Sequence, residues 1–214
     1  MIFQLDNRLI FPNPELAEPD GLLAIGGDLS AERLINAYAN GIFPWYSDDE
    51  PILWYSPHER FVLFPNQLKI SKSMRKVLQS NQFSVTFNQD FAAVIRACAS
   101  VFRDGQNGTW ITDEMENAYL QLHQQGKAHS VEVWQNNELV GGLYGVEINA
   151  IFCGESMFSK VSNASKTALI NLCRQKKYQL IDCQMYTEHL ESLGAKMISR
   201  KEFQQFLDIK KEHS

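Results

Sequence analysis

The fold of this chain is decided by HSVEVWQNNELVGGLYGVEINAIFCGESMF, residues 129–158. Three apolar runs lie in this stretch: HSVEVWQ comes first, LVGGLYGV follows QNNE, and AIFCGESMF follows EIN. Runs of apolar and β-branched residues joined by turns of a few residues are typical of consecutive antiparallel strands. The stretch therefore predicts a three-stranded antiparallel meander.

A single carboxylate, Glu155, lies in the middle of the third run. Side chains alternate between the two faces of a strand. A regular strand would therefore place Glu155 on one face with Ile151, Cys153 and Met157. Burying an unpaired carboxylate costs on the order of several kcal/mol. We therefore expect Glu155 to have a specific partner, either a substrate group or, as a purely structural alternative, a backbone N–H.

Helix signals flank the meander. Before it come a helix capped by Ser71, the apolar helix FAAVIRACASVF and a helix from Thr112 to Gly126; after it come the helix NASKTALINLCRQKK, the strand QLIDCQ and two further helices. This order is α+β and suits a C-terminal domain of the N-acetyltransferase-like (GNAT) type, residues 63–214. Residues 1–62, rich in Pro, Gly and aromatic residues, predict a small loop-rich N-terminal domain.

Composition limits the classes of protein that need be considered. No apolar run approaches the roughly 20 residues of a membrane span, and the N-terminus lacks the pattern of a signal peptide, which favours the cytoplasm. The cysteines and histidines show no metal-ligand spacing, so neither a metal nor a cofactor is expected. Nothing in the sequence demands an oligomer, and a monomer is expected.

The charge of the chain is unevenly distributed. The formal net charge is −5, yet residues 61–100 carry five basic residues and one acidic residue. Lys72, Arg75 and Lys76 lie together on the helix that follows Ser71. Such a helix can face a phosphate backbone, or it can be an ordinary solvated helix face.

Two polar residues follow each other at strand spacing in LIDCQM. Asp182 and Gln184 would share one face of a strand, with Ile181 and Cys183 on the other. A carboxylate that accepts from a carboxamide NH2 group would fix the amide and strengthen its carbonyl oxygen as an acceptor. That oxygen could receive a proton from an attacking amine, although a solvated strand end would also account for the pair.

Aromatic residues are concentrated in short segments beside Pro, Ser and Gly. Trp45, Tyr46, Trp54, Tyr55 and Trp110 follow neither helical nor strand spacing. Aromatic side chains held on loops can stack on unpaired bases, but they can equally form the core of a small domain.

Ten short blocks of the sequence resemble those of the leucyl/phenylalanyl-tRNA–protein transferase family, in the same order and at similar spacing. They are GGDLS, GIFPWYS, LWYSP, GTWIT, HSVEVW, LVGGLYGV, FCGESMFS, NASKTAL, LIDCQ and SLGA. The resemblance runs from about residue 9 to 205. It implies an enzyme that moves Leu or Phe, with Met as a further candidate, from aminoacyl-tRNA to the N-terminal Arg or Lys of acceptor proteins. The product would be marked for N-end-rule degradation.

The resemblance also implies roles for individual residues. Asp182, Gln184 and Glu155 would form the catalytic group, with the Gln184 carbonyl oxygen drawing the amine proton and no covalent enzyme intermediate. Trp45 and Trp110 would hold the terminal adenosine. The aminoacyl side chain would enter a pocket formed by Leu143, Phe152, Gly154, Leu169, Leu172 and Ile181. The helix with Lys72, Arg75 and Lys76 would contact the tRNA body.

Two rival interpretations remain open from the sequence. One is an acetyl-CoA-dependent N-acetyltransferase of the same fold class, but GGLYG lies within a predicted strand and not before a helix. The other is a non-catalytic module that binds tRNA ends or N-degron peptides. Such a module would use the aromatic residues and the basic helix but would not need Asp182 and Gln184.

Overall fold

The computed structural model describes residues 2–47, 49–101 and 111–208. Its helices are α1 (Ala31–Ala39), α2 (Lys72–Gln79), α3 (Phe91–Ala99), α4 (Asp113–Gln124), α5 (Ala164–Arg174), α6 (Glu188–Ser192) and α7 (Arg200–Asp208). Short 3-10 helices occupy Pro14–Leu16 and Pro65–Gln67. The strands are β1 (Phe3–Leu5), β2 (Leu22–Gly26), β3 (Phe43–Pro44), β4 (Leu53–Tyr55), β5 (Glu59–Leu63), β6 (Ser84–Phe87), β7 (Ala128–Gln135), β8 (Glu138–Ile148), β9 (Ile151–Ser159), β10 (Leu180–Gln184) and β11 (Lys196–Ser199). The expected mixture of helices and strands is confirmed.

A seven-stranded sheet forms the centre of the molecule, in the order β11-β5-β10-β9-β8-β7-β6. The predicted meander is confirmed as β7, β8 and β9, which pair antiparallel in sequence order. Strands β9 and β10 pair parallel, and this pairing ends at Cys153 and Asp182. The two strands therefore separate beyond these residues, at the centre of the sheet.

Helices cover both faces of the seven-stranded sheet. Alternation along each strand assigns neighbouring residues to different cores: Ile181 belongs to the core that includes α5, whereas Leu180 belongs to the core that includes α1, α3 and α4. The first core contains Ala164, Ala168, Leu169 and Leu172 of α5. The molecule thus has three layers, with the sheet in the middle and helices on each of its two faces.

Residues 3–55 contain a second, smaller sheet in the order β1-β2-β4-β3. The sequence-based expectation of a loop-rich segment missed it, because strands of two to five residues show too little alternation to be recognised. The predicted division after residue 62 falls within β5, which pairs with β10 and β11 in the large sheet. The division itself stays a prediction.

Several predicted helix starts are confirmed by side-chain caps. The Ser71 hydroxyl accepts from the Met74 N–H at 3.1 Å, and the Thr112 hydroxyl accepts from the Met115 N–H at 3.1 Å. Such caps satisfy donors that a helix leaves unpaired in its first turn. No helix in the described ranges is long and apolar enough to span a bilayer.

Candidate active site

A cavity of about 520 Å³ opens where β9 and β10 separate. This volume lies in the range of sites for small molecules, roughly 300–1,000 Å³. Its lining includes nine predicted residues: Leu143, Phe152, Gly154, Glu155, Leu169, Leu172, Ile181, Asp182 and Gln184. Trp45 also belongs to the lining. The fold therefore brings the predicted pocket, the predicted polar group and one predicted aromatic residue to a single place.

A β-bulge places Glu155 at the cavity. Gly154 pairs with Gly145 and Ser156 pairs with Tyr144, so Glu155 is an extra residue with no partner on β8. A bulge of this kind re-aims a side chain and is frequent beside active sites. Glycine is required at position 145, because a Cβ there would collide with the Cys153 carbonyl oxygen.

The bulge corrects the expected face of Met157. Beyond an extra residue the alternation of side chains is reversed. Met157 therefore packs with the core that contains Phe152, not with the core of Ile151 and Cys153, where Phe158 lies instead. Glu155 thus does not share a face with Met157.

Glu155 is 9% exposed and has Tyr38, Tyr119 and Gln184 as side-chain partners. The Tyr119 hydroxyl donates to Oε2 at 3.0 Å, and the Gln184 side-chain amide donates to Oε1 from Nε2 at 2.9 Å. Tyr119 is in turn 2.5 Å from the Tyr38 hydroxyl. Burial raises the pKa of Glu155 to about 7, while these donors act in the opposite direction. The partners of Glu155 in the structure are therefore side chains and not the backbone N–H of the structural alternative, and the carboxyl group can change protonation near neutral pH.

A second bulge, on β10, shapes the backbone at Gln184. Asp182 pairs with Val62 and Gln184 pairs with Phe61, which leaves Cys183 as the extra residue. The Met185 N–H donates to the Cys183 carbonyl at 2.7 Å, and Gln184 has φ +61°. These features define a γ-turn with Gln184 at its centre.

Asp182 is fully buried and ion-paired. Its Oδ1 accepts from the Gln184 backbone N–H at 3.0 Å and from Arg60 Nε at 3.3 Å, and its Oδ2 contacts Arg60 Nη2. This arrangement corrects one expectation from the sequence. The NH2 group of Gln184 donates to Glu155 and not to Asp182, because the γ-turn directs the amide away along the cavity wall.

The apolar part of the cavity is formed by residues of the core that includes α5. Leu143, Phe152, Leu169, Leu172 and Ile181 are each at most 3% exposed to solvent. They can surround an aliphatic or aromatic side chain and offer it no hydrogen-bonding group. Gly154 also lines the cavity, and a Cβ at this position would lie 3.4 Å from the Asp182 carbonyl oxygen.

The predicted tRNA-contacting residues have different outcomes. Trp45 is 36% exposed and lines the cavity, and its ring lies 5.8 Å from that of Tyr55. Trp110 lies outside the described residues. Lys72, Arg75 and Lys76 are exposed on α2 and do not belong to the cavity lining. Their predicted role stays a prediction.

Sequence reasoning missed three residues of the site. Arg60 had a signal, because a charged residue that precedes the apolar run FVLF in a strand needs a buried partner. Tyr119 had none, since it lies in an ordinary helical stripe. His189 gave no signal, because the histidines show no metal-ligand spacing, yet it lines the cavity, and burial lowers its pKa.

Comparison with known proteins gives a consistent result over the whole chain. A family model described as leucyl/phenylalanyl-tRNA protein transferase matches residues 62–208, and the model of that family's N-terminal domain matches residues 27–58. A leucyl/phenylalanyl-tRNA–protein transferase of Flavobacterium psychrophilum is 58% identical over 206 residues, covering 95% of this chain and 98% of the relative. One of Flavobacterium johnsoniae is 55% identical over 212 residues, covering 98% and 100%.

Among solved structures, the chain is similar to FemX with a TM-score of 0.49 and 12% identity. The similarity covers 78% of this chain and 66% of that one.

Proposed function

This chain belongs to the leucyl/phenylalanyl-tRNA–protein transferase family, and from that premise we propose how its cavity performs the transfer. The protein is an aminoacyltransferase that takes its aminoacyl group from aminoacyl-tRNA and passes it to a protein. The finer proposal is that Leu or Phe, with Met as a further candidate, is passed to an N-terminal Arg or Lys. The acceptor would thereby be marked for N-end-rule degradation.

The observation that carries this proposal is the contact between Gln184 and Glu155 at the side of an apolar pocket. An aminoacyl ester is already activated, so the protein needs only to orient it, receive the amine and stabilise the tetrahedral oxyanion. The pocket formed around Leu169 and Ile181 suits a Leu or Phe side chain. The polar pair lies in the same cavity and suits a cationic amine.

The proposed step forms a C–N bond and breaks the ester C–O bond. The acceptor ammonium first loses one proton to solvent, and the neutral amine attacks the ester carbonyl. The amine nitrogen then loses a second proton, and the ribose oxygen leaves with a proton as a hydroxyl group. The NH2 group of Gln184 is engaged by Glu155, which leaves the carbonyl oxygen Oε1 to accept from the attacking N–H. A carboxyl group with a pKa of about 7 nearby favours an approaching cation once it is ionised.

The tRNA would be held at two further places. Trp45 is a partly exposed aromatic residue of the cavity lining, on which the terminal adenosine would stack. Trp110 is proposed for the same role from the sequence alone. The exposed cations of α2 would contact phosphates of the tRNA body, which position a substrate without reading its bases.

We also propose a GNAT-type catalytic domain for residues 63–214, a smaller N-terminal domain for residues 1–62, a monomeric state and a cytoplasmic location. The antiparallel meander followed by a helix and a parallel strand supports the first of these. Strands β9 and β10, which separate where their bulges lie, would provide the substrate cleft.

The proposal is tested by following labelled leucine from Leu-tRNA to a peptide that begins with Arg. The same peptide beginning with Ala is the matched control. Transfer to the Arg peptide alone supports both reaction and acceptor rule, whereas absence of transfer by the folded protein contradicts the proposal. Calorimetry with acetyl-CoA tests the acetyltransferase alternative, because such an enzyme would have to bind acetyl-CoA.

A further inference from the structure

Gln184 adopts a backbone conformation that its residue type disfavours. Its φ is +61°, in the left-handed region. Of the eight non-glycine residues with positive φ in the described chain, six are asparagine, which tolerates this region far better than glutamine. A γ-turn with a positive φ at its centre is rare and strained. Strain of this kind persists only where the surrounding structure imposes it.

The contact that imposes it comes from Asp182. The Gln184 N–H donates to Asp182 Oδ1 at 3.0 Å, which fixes the orientation of the peptide group that enters the turn. The Met185 N–H closes the turn on the Cys183 carbonyl. Since the NH2 group of Gln184 contacts Glu155, Asp182 acts on Gln184 through the backbone and not through the side-chain amide.

Asp182 is held in turn by Arg60, which is 2% exposed. Arg60 uses Nε and Nη2 on the two carboxylate oxygens and donates from Nη1 to the Gly41 carbonyl at 3.0 Å. The guanidinium carbon lies 4.8 Å from the ring centre of Phe43 and 4.6 Å from that of Phe203. A planar fork fixed in this way leaves the carboxylate one orientation.

We propose that Arg60 is a positioning residue for the transfer reaction. It orients the Asp182 carboxylate, and that carboxylate holds the Gln184 turn so that the amide faces the substrate. Arg60 is not itself among the described residues that line the cavity. The proposal rests on the proposed function, because it concerns the side chain that meets the attacking amine. It predicts that the fork geometry matters in addition to the positive charge.

The test is Arg60→Lys, which keeps the charge but cannot span both carboxylate oxygens. Single-turnover transfer of leucine and steady-state kinetics are measured together with thermal unfolding. We expect kcat to fall at least tenfold while KM for Leu-tRNA stays within twofold, because the apolar pocket and Trp45 are unchanged. A merely structural role would lower activity only in proportion to the unfolded fraction.

Arg33→Lys is the matched control. Arg33 is 0% exposed, donates to the carbonyls of Arg8 and Asp6, and pairs with Asp28, all distant in sequence from the cavity lining. We expect Arg33→Lys to lower the midpoint of thermal unfolding with kcat per folded molecule unchanged. The same kcat loss in both variants would overturn the proposal, as would a wild-type kcat in Arg60→Lys.

Phe203→Leu is the second variant, in case Arg60→Lys does not fold. It removes one of the two rings that enclose the guanidinium and leaves the carboxylate pair in place. We expect kcat to fall about threefold at unchanged KM, and a change confined to KM or to unfolding would overturn the proposal. The wild-type protein in the same assay tests the proposed function separately. If the wild-type protein transferred no leucine, the proposed function would be contradicted, whereas the role of Arg60 is judged by comparing the variants with an active wild-type protein.

Discussion

The side-chain amide of Gln184 donates from Nε2 to Oε1 of Glu155 across 2.9 Å, joining β9 and β10 after their backbone pairing has ended. Each residue lies at or next to a bulge in its own strand. The bulges convert two sheet strands into the wall of a cleft while the side chains keep them connected. The same contact engages the NH2 group of Gln184, and the proposed function assigns its carbonyl oxygen to the attacking amine.

The first prediction concerns the pH dependence of stability through Glu155. Its pKa is about 7 in the folded protein against an ordinary value of 4.5, so the folded state binds more protons between these values. The free energy of unfolding therefore falls as pH rises from 4.5 to 7 and is independent of this group above 7. Glu155→Gln should remove that fall in urea titrations made across this range. Glu114→Gln, an exposed substitution with the same change of charge, is the matched control.

The outcome that would contradict the prediction is a wild-type pH dependence in Glu155→Gln. That result would assign the ionisation to another group and would leave Glu155 as a permanently charged residue.

The second prediction concerns Trp45. Stacking of a base on an aromatic ring contributes about 1–3 kcal/mol. Trp45→Ala should therefore raise KM for Leu-tRNA by about 5–150-fold, and Trp45→Phe should restore most of it. A minimal leucyl-adenosine substrate should lose the same factor, because the contact is with the terminal nucleotide. An effect on full tRNA but not on leucyl-adenosine would contradict this role.

The third prediction concerns selectivity for the aminoacyl group. Leu169 is buried in the pocket wall, so Leu169→Phe reduces the room for a large side chain. The ratio of kcat/KM for Phe-tRNA to that for Leu-tRNA should fall about tenfold, in line with about 1–3 kcal/mol for small changes of volume. Leu169→Met, which conserves volume, should leave the ratio unchanged. Equal losses for both substrates in Leu169→Phe would indicate a folding defect or a different pocket.

The fourth prediction concerns the basic face of α2. Replacement of Lys72, Arg75 and Lys76 by Ala should raise KM for aminoacyl-tRNA and flatten its salt dependence. Each lost phosphate contact reduces the slope of log K against log salt by roughly 0.7–0.9. Selectivity between Leu and Phe should not change, because phosphate contacts carry no information about the aminoacyl group.

The control for α2 removes the same number of charges elsewhere, at exposed Lys127, Lys160 and Lys201. Its salt slope should remain that of the wild-type protein. If the two triple variants had equal salt slopes, the effect of α2 would be a nonspecific effect of net charge, and the predicted contact with the tRNA would be contradicted.

The meander and the helix caps could be predicted because they depend on local signals. Alternating apolar runs defined β7 to β9, and Ser71 and Thr112 marked helix starts. The short strands β1 to β4 carried no such signal. They form because the segments pair with each other in the folded chain, which is a property of tertiary contacts.

The residues of the candidate site could be predicted from the sequence, but the contacts between them could not. The pocket residues were identified through the resemblance at LVGGLYGV, FCGESMFS, LIDCQ and the helix that begins NASKTAL, and the structure brings them together. The predicted partner of the Gln184 side-chain amide, Asp182, was wrong. The prediction assumed a regular strand, which would place these two side chains next to each other on one face. The structure instead has an extra residue at Cys183, a positive φ at Gln184, and Asp182 paired with Arg60, which lies 122 positions away in the chain.

The measurement that tests the central claim most directly is single-turnover transfer of leucine by Gln184→Met. Methionine has a similar length but lacks the carbonyl oxygen that would accept from the attacking amine. We expect the rate of transfer to the Arg peptide to fall at least a hundredfold while the affinity for Leu-tRNA stays within twofold. A wild-type rate of transfer in Gln184→Met would contradict the account.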